Sequence, residues 1–173
     1  MEPAEAYSRY VLNILNSDEI VSLADSWLNQ GIFTDSLNTL CWEKEPIMSS
    51  VGPLFEKAMN ELGVNKPDSL EAGHLIVRET LTRVVDLELP PEKGAAFLYH
   101  HVYPGIRHEC LDEVNYGDGL DLERIFGLMW ELEDCRGDSL IPYYSDLPRS
   151  EAEAKMKLHL IDESRKWLEK NHN

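Results

Sequence analysis

Residues 120–135, Leu-Asp-Leu-Glu-Arg-Ile-Phe-Gly-Leu-Met-Trp-Glu-Leu-Glu-Asp-Cys, decide the fold class. Leu122, Ile125, Phe126, Leu128, Met129, Trp130 and Leu132 cover most of a helix circumference instead of one stripe. A helix that is apolar nearly all round occupies the middle of a bundle, because no side of it is suited to water. Gly137 closes it. Truncating Leu128 or Met129 is therefore expected to be costly.

Outward from that segment, the period stays helical. Downstream, Asp138 to Pro148 reads as the longest irregular loop, and Ser150 with Glu153 reads as a capping box opening a last helix to about Lys170. Trp167 and Leu168 dock its end. Upstream, Pro90-Pro91 starts a helix carrying Ala95, Leu98, His101 and Val102, expected to end before Pro104-Gly105. A weaker helix is expected over 107–114, then a turn over 115–119. Asp68 with Glu71 caps a helix with the stripe Leu70, His74, Val77, Leu81 and Val84, running to about Leu87.

The N-terminal third repeats the pattern. Tyr7, Tyr10, Val11, Ile14 and Leu15 lie on one helical face. Ser17, Asp18 and Glu19 restart a helix with the face Ile20, Leu23, Ala24, Trp27 and Leu28, which Gly31 closes. A short helix covers about 36–42. Val51, Leu54, Phe55, Ala58, Met59 and Leu62 mark another, with Pro53 either at its tolerant start or kinking a longer helix. The β-branched pairs Ile76-Val77 and Val84-Val85 fit helical stripes, so no strand is expected. The expected fold is all-α: a compact single-domain bundle of about seven to nine helices over 1–173, with 88–92 as the candidate subdivision.

Composition agrees with a folded globule. The 173 residues are 43% hydrophobic and 28% charged, with four Trp, seven Tyr and four Phe. A chain of this size buries roughly 70% of its unfolded surface, enough to fold without a metal or disulfide. Cys41, Cys110 and Cys135 are odd in number and form no Cys-x-x-Cys pair, which suits free thiols in a reducing compartment. The first residues show neither a basic region nor an apolar run, and no stretch reaches the roughly 20 apolar residues of a membrane span. A cytoplasmic protein is expected.

Charge is the strongest functional signal. There are 32 acids against 16 Lys and Arg, a net of -16. Residues 1–63 hold 10 acids and 3 bases, and 107–148 hold 11 acids and 3 bases, while 149–173 hold 5 acids and 6 bases. Such a field repels nucleic acid and anionic membrane and draws cationic partners. Trp130, Tyr143 and Tyr144 stand among the acids of the second block, as aromatic anchors stand within charged rims. Partner-binding candidates are therefore Asp112, Glu113, Asp118, Asp121, Trp130, Glu131, Glu133, Asp134, Tyr143 and Tyr144. Glu151, Glu163 and Glu169 on the balanced last helix serve as reference acids.

Reaction motifs are missing. His100, His101, His108 and Cys110 are the densest metal-type cluster, but adjacent helical histidines point roughly 100° apart, so at most one could join His108 at a tetrahedral ion. One of the pair is expected in the core and one in solvent. Glu71 and His74 form a lone Glu-x-x-His where a carboxylate-bridged di-iron site needs two. Asn115, Asp118, Asp121 and Glu123 miss the EF-hand spacing. No nucleophile elbow, HExxH, phosphate loop or dinucleotide fingerprint occurs. No cofactor is implied, and the reading leans away from an enzyme. The expected function is a small acidic module that docks on or neutralises a basic protein, as an immunity protein or antitoxin would. Its rivals are a metal-dependent hydrolase built around 100–110 and a structural domain whose charge serves only solubility.

Overall fold

The computed structural model describes residues 1–106, 119–137 and 139–171. Every regular element among them is helical, so the all-α expectation holds. Two compact units emerge, Met1–Ala72 and Gly73–Asn173. Pro90-Pro91 lies inside the second.

The first unit holds α1 (Pro3–Val11), α2 (Ser17–Asn29), α3 (Asp35–Leu40) and α4 (Met48–Glu61). Its core gathers Tyr7, Ile20, Trp27, Leu37, Leu40, Val51, Phe55 and Met59. Phe55 is its ring hub, edge-on to Tyr7 at 6.0 Å and stacked on Trp27 at 6.4 Å. The stripe from Tyr7 to Leu15 is not one helix. It breaks after Val11 because Asn13 takes φ 57, a left-handed value that a short polar side chain tolerates. Leu15 reaches the core from the link. The cap of α2 is Asn16, one residue earlier than Ser17. Asn16 and Glu19 form a reciprocal capping box with 2.9 Å bonds. The Ser17 hydroxyl instead donates to the Pro46 carbonyl at 2.8 Å. Pro53 sits inside α4 with its side exposed, so the bond it cannot make faces water.

Helix α5 (Ser69–Val85) opens on the expected box, with Glu71 N–H donating to Asp68 at 2.7 Å and Asp68 N–H to Glu71 at 3.2 Å. In the second unit follow α6 (Pro91–Phe97), a π-helical turn (Leu98–Val102), α7 (Tyr103–Ile106), α8 (Glu123–Arg136) and α9 (Arg149–Lys170). α8 packs along α9 and against α6, and α6 also meets α9. α8 buries Ile125, Phe126, Leu128, Met129, Leu132 and Cys135, as its wide apolar arc requires. Trp167 docks the end of α9, its indole N–H donating to the Leu120 carbonyl at 2.6 Å.

Three expectations fail here. The helix from Pro91 does not stop before Pro104. The wide turn, in which Tyr103 N–H reaches the Leu98 carbonyl, carries the chain past a proline that cannot donate, and the helical path continues to Ile106. The extra residue also resets the register. Leu98, Val102 and Ile106 make the buried row, and His100 and His101 are both exposed, so neither histidine is the core one. Nor do Ser150 and Glu153 form a cap. Pro148 precedes the helix with no side-chain cap bond. Glu153 instead accepts from Arg136 at 3.0 and 2.8 Å. A charge-assisted pair of that kind is stronger than a neutral cap.

Candidate functional site

A cleft of about 490 Å³ opens between α8 and α9 in the second unit. Its floor is Gly127 and Leu128. Glu123, Arg124 and Glu131 come from α8, His159 and Glu163 from α9, and Tyr143 from the connecting loop. The helical repeat explains the α8 set: 124, 127, 128 and 131 recur at spacings of three and four on one face.

Glu163 anchors the inner end. It is buried, 7% exposed, and its Oε1 receives Lys166 at 2.7 Å with His159 Nε2 at 3.6 Å and Arg124 at 3.7 Å. Burial pushes its carboxyl up, but the Lys166 hydrogen bond and the charges of Lys166, Arg124 and His159 outweigh that and hold it below the usual carboxylate range. Glu163 is thus a structural ion, unsuited as a reference surface acid. Glu151 and Glu169 are exposed and fit that purpose.

At the other end the rings assemble. Tyr143 is half exposed and meets His159 at 5.9 Å with planes at 89°. Tyr144 lies 6.3 Å from the same imidazole at 72°, its hydroxyl 3.3 Å from His159 Nδ1. Tyr144 takes φ 56, costly for a bulky side chain. Glu131 fixes the loop by accepting the Tyr143 N–H at 3.0 Å. Its second oxygen is not needed for that bond.

The expected partner residues distribute unevenly. Glu131, Tyr143 and Tyr144 converge on the cleft. Asp134 is exposed on α8 three residues beyond Glu131 and continues the same row. Glu133 is exposed too. Two helical residues turn roughly 200°, so it leaves the helix on the far side from Glu131. Asp121 pairs with Lys170 at 2.6 Å. Trp130 is half buried, 5.3 Å from Tyr99, in the ring cluster joining the π turn to α8 through Phe126. Asp112, Glu113 and Asp118 lie outside the described residues, as do His108, Cys110, the helix expected over 107–114 and most of the following turn.

Among the described residues, no group of three or more His, Cys, Asp or Glu converges as a metal site would require. His100 packs on Tyr99 at 5.0 Å and His101 on Phe97 at 5.5 Å. Glu71 is engaged in its cap, while His74 stacks on Trp167 at 6.1 Å. Nor is any described helix long and apolar enough to cross a membrane.

His159, Glu163 and Arg124 did not stand out in the sequence as parts of a site. The i,i+4 spacing of His159 and Glu163 was a signal, but nothing in a charge-balanced helix says which acid turns inward. No family model, curated protein or solved structure matches the chain.

Proposed function

We propose that this chain is a protein-binding module that docks on, or neutralises, a basic partner, in the manner of an immunity protein or antitoxin. The observation that carries the reading is how charge is used in the second unit. Six of its cations serve internal contacts: Arg136 and Lys157 hold Glu92 and Glu153, Arg83 holds Glu79, Arg124 and Lys166 hold Glu163, and Lys170 holds Asp121. Glu123, Glu133 and Asp134 stay in solvent with no ion pair among the described residues. Open acids make a surface suited to steering a cationic protein, and on the cleft side the half-exposed Tyr143 offers an apolar contact. Nucleic acid and anionic membrane are poor partners for the same surface. Free Cys41 and Cys135 suit a cytoplasmic setting.

The test uses the full chain and a decalysine peptide as a surrogate cation, followed by fluorescence anisotropy across a salt series. Binding should weaken steeply as salt rises, since exposed charges are screened beyond roughly 8 Å at physiological ionic strength. The variant E133K/D134K should lose most of it with its melting temperature unchanged, whereas E151K/E169K on α9 should lose little. Equal losses from the two variants would leave a non-specific charge effect and sink the reading.

A further inference from the structure

The geometry points to a specific occupant for the α8–α9 cleft: an arginine side chain of the partner, its guanidinium between Glu123 and Glu131 and its plane on the Tyr143 ring. This rests on the reading of the chain as a module for basic proteins.

Three features select that chemistry. The cleft is lined by three carboxylates, of which Glu163 is already held by Lys166 at 2.7 Å, so Glu123 and Glu131 are the acids left to face a cation. The Arg124 side chain is 80% exposed and stands 3.7 Å from Glu163. That separation is too long for a hydrogen bond, so Arg124 meets Glu163 through charge alone. An anion would be repelled, and a neutral apolar group would leave the carboxylates facing it unpaired.

Aromatic rings line the cleft beside the acids. Tyr143 and His159 both line the cleft, their rings 5.9 Å apart at 89°, and Tyr143 is half exposed. A cation over a ring face is attracted by the ring quadrupole, and a planar guanidinium also stacks. The neighbouring ring already does this within the chain, with Lys155 Nζ lying 5.8 Å over Tyr144.

Glu131 is also pre-oriented. The Tyr143 N–H holds Oε2 at 3.0 Å, which fixes the carboxylate beside the ring before any ligand arrives. Pre-organisation of this kind removes part of the ordering cost of binding. A planar fork of donors can use both the carboxylate and the ring face, whereas a lysine ammonium, compact and strongly hydrated, gains less from the stack.

The test is a nuclear magnetic resonance titration of the whole chain with three blocked tripeptides, acetyl-Gly-Arg-Gly-amide, its lysine counterpart and its citrulline counterpart. The arginine peptide should shift the amides of Gly127, Leu128, Glu131 and Tyr143, and bind at least about threefold tighter than the lysine peptide. The citrulline peptide, neutral and of similar shape, should not bind measurably. E123Q/E131Q should weaken arginine binding about tenfold, because the side-chain amide of E131Q still accepts the Tyr143 N–H while the charge is gone. Y143A should erase the preference for arginine over lysine. Shifts outside the cleft, equal binding of arginine and lysine, or indifference to E123Q/E131Q would each overturn the inference. If decalysine still binds in a salt-dependent way that E133K/D134K abolishes, the basic-partner reading survives that failure. If neither probe binds at low salt, both fall.

Discussion

Replacing Gly94 with alanine sets two opposed effects against each other, and the structure decides the sign. Gly94 lies in α6, buried, facing the end of α5. Alanine in a helix interior is favoured over glycine by roughly 0.5–1 kcal/mol. A Cβ built there would stand 2.5 Å from Val84 Cγ2, 3.3 Å from Leu89 Cδ2 and 3.6 Å from Thr80 Cγ2. Val84 is 1% exposed. It is also β-branched, so its methyl cannot swing aside without leaving the rotamer a helix allows. Overpacking of that kind costs about 1–3 kcal/mol. G94A should therefore destabilise by about 1 kcal/mol net, the difference of those two ranges. Gly127 in α8 is the matched control, since nothing lies within 4 Å of the corresponding Cβ. G127A should keep only the propensity gain and stabilise by about 0.5–1 kcal/mol. Urea unfolding followed by circular dichroism would show the midpoints moving in opposite directions with little change in slope. Adding V84A to G94A should cost less than V84A costs alone, because the clash it relieves is gone. A G94A midpoint at or above wild type, or strict additivity with V84A, would refute the close packing of α5 on α6.

Other outcomes follow from the same packing. Leu128 and Met129 are both at most 3% exposed. L128A and M129A should each cost about 2–5 kcal/mol, and a cost below about 1 kcal/mol at both positions in urea unfolding would place α8 at the periphery. The Leu120 carbonyl accepts from the Trp167 indole at 2.6 Å. W167F should cost about 1–3 kcal/mol by removing that donor, and a thermal melt indistinguishable from wild type would remove the bond from the account. Glu92, Glu153 and Glu163 are all held below the ordinary glutamate value of 4.5. Their stabilisation is present above that value and is lost as pH falls through their folded values. E92Q/E153Q should thus be less stable than wild type at neutral pH and show a shallower fall of melting temperature with acidification; parallel pH profiles would contradict the Arg136–Lys157 network. G127A also places a methyl on the cleft floor, and should weaken the arginine tripeptide in the titration above while raising stability.

Much of the fold was readable because helical period and capping chemistry act locally. Asp68 with Glu71 needs only its own turn, and the wide apolar arc of 122–132 demands burial on several sides. What failed was set by a partner distant in sequence in one case and by an inserted residue in the other. Glu153 has the right spacing for a cap with Ser150, yet Arg136, seventeen residues away, offers it a charge-assisted bond. Pro104 looks like a terminator until a π turn widens the helix ahead of it, and the same insertion moves His101 out of the row it would otherwise share with Leu98. A stripe written in i and i+4 steps assumes an unbroken register, and one inserted residue is enough to exchange a buried position for an exposed one.

The cleft was only half legible for a related reason. Glu131, Tyr143 and Tyr144 stood out because aromatics lie among the acids of one block. Glu163 and His159 did not, since in a segment with 5 acids and 6 bases any carboxylate can find a cation by spacing alone. Burial separates them. Glu151 and Glu169 stay in water, where an ion pair is worth little. Glu163 is enclosed and must be held by Lys166, Arg124 and His159 to remain charged. That enclosure also separates the roles of the cleft acids. A carboxylate already held by three bases has little left to offer an incoming cation, while Glu123 has no ion pair among the described residues and Glu131 spends one oxygen on a backbone N–H. Recognition of a basic partner should therefore depend on Glu123 and Glu131, and the integrity of the α8–α9 seam on Glu163. E163Q should accordingly lower stability more than E123Q does, and E123Q should weaken the arginine peptide more than E163Q does.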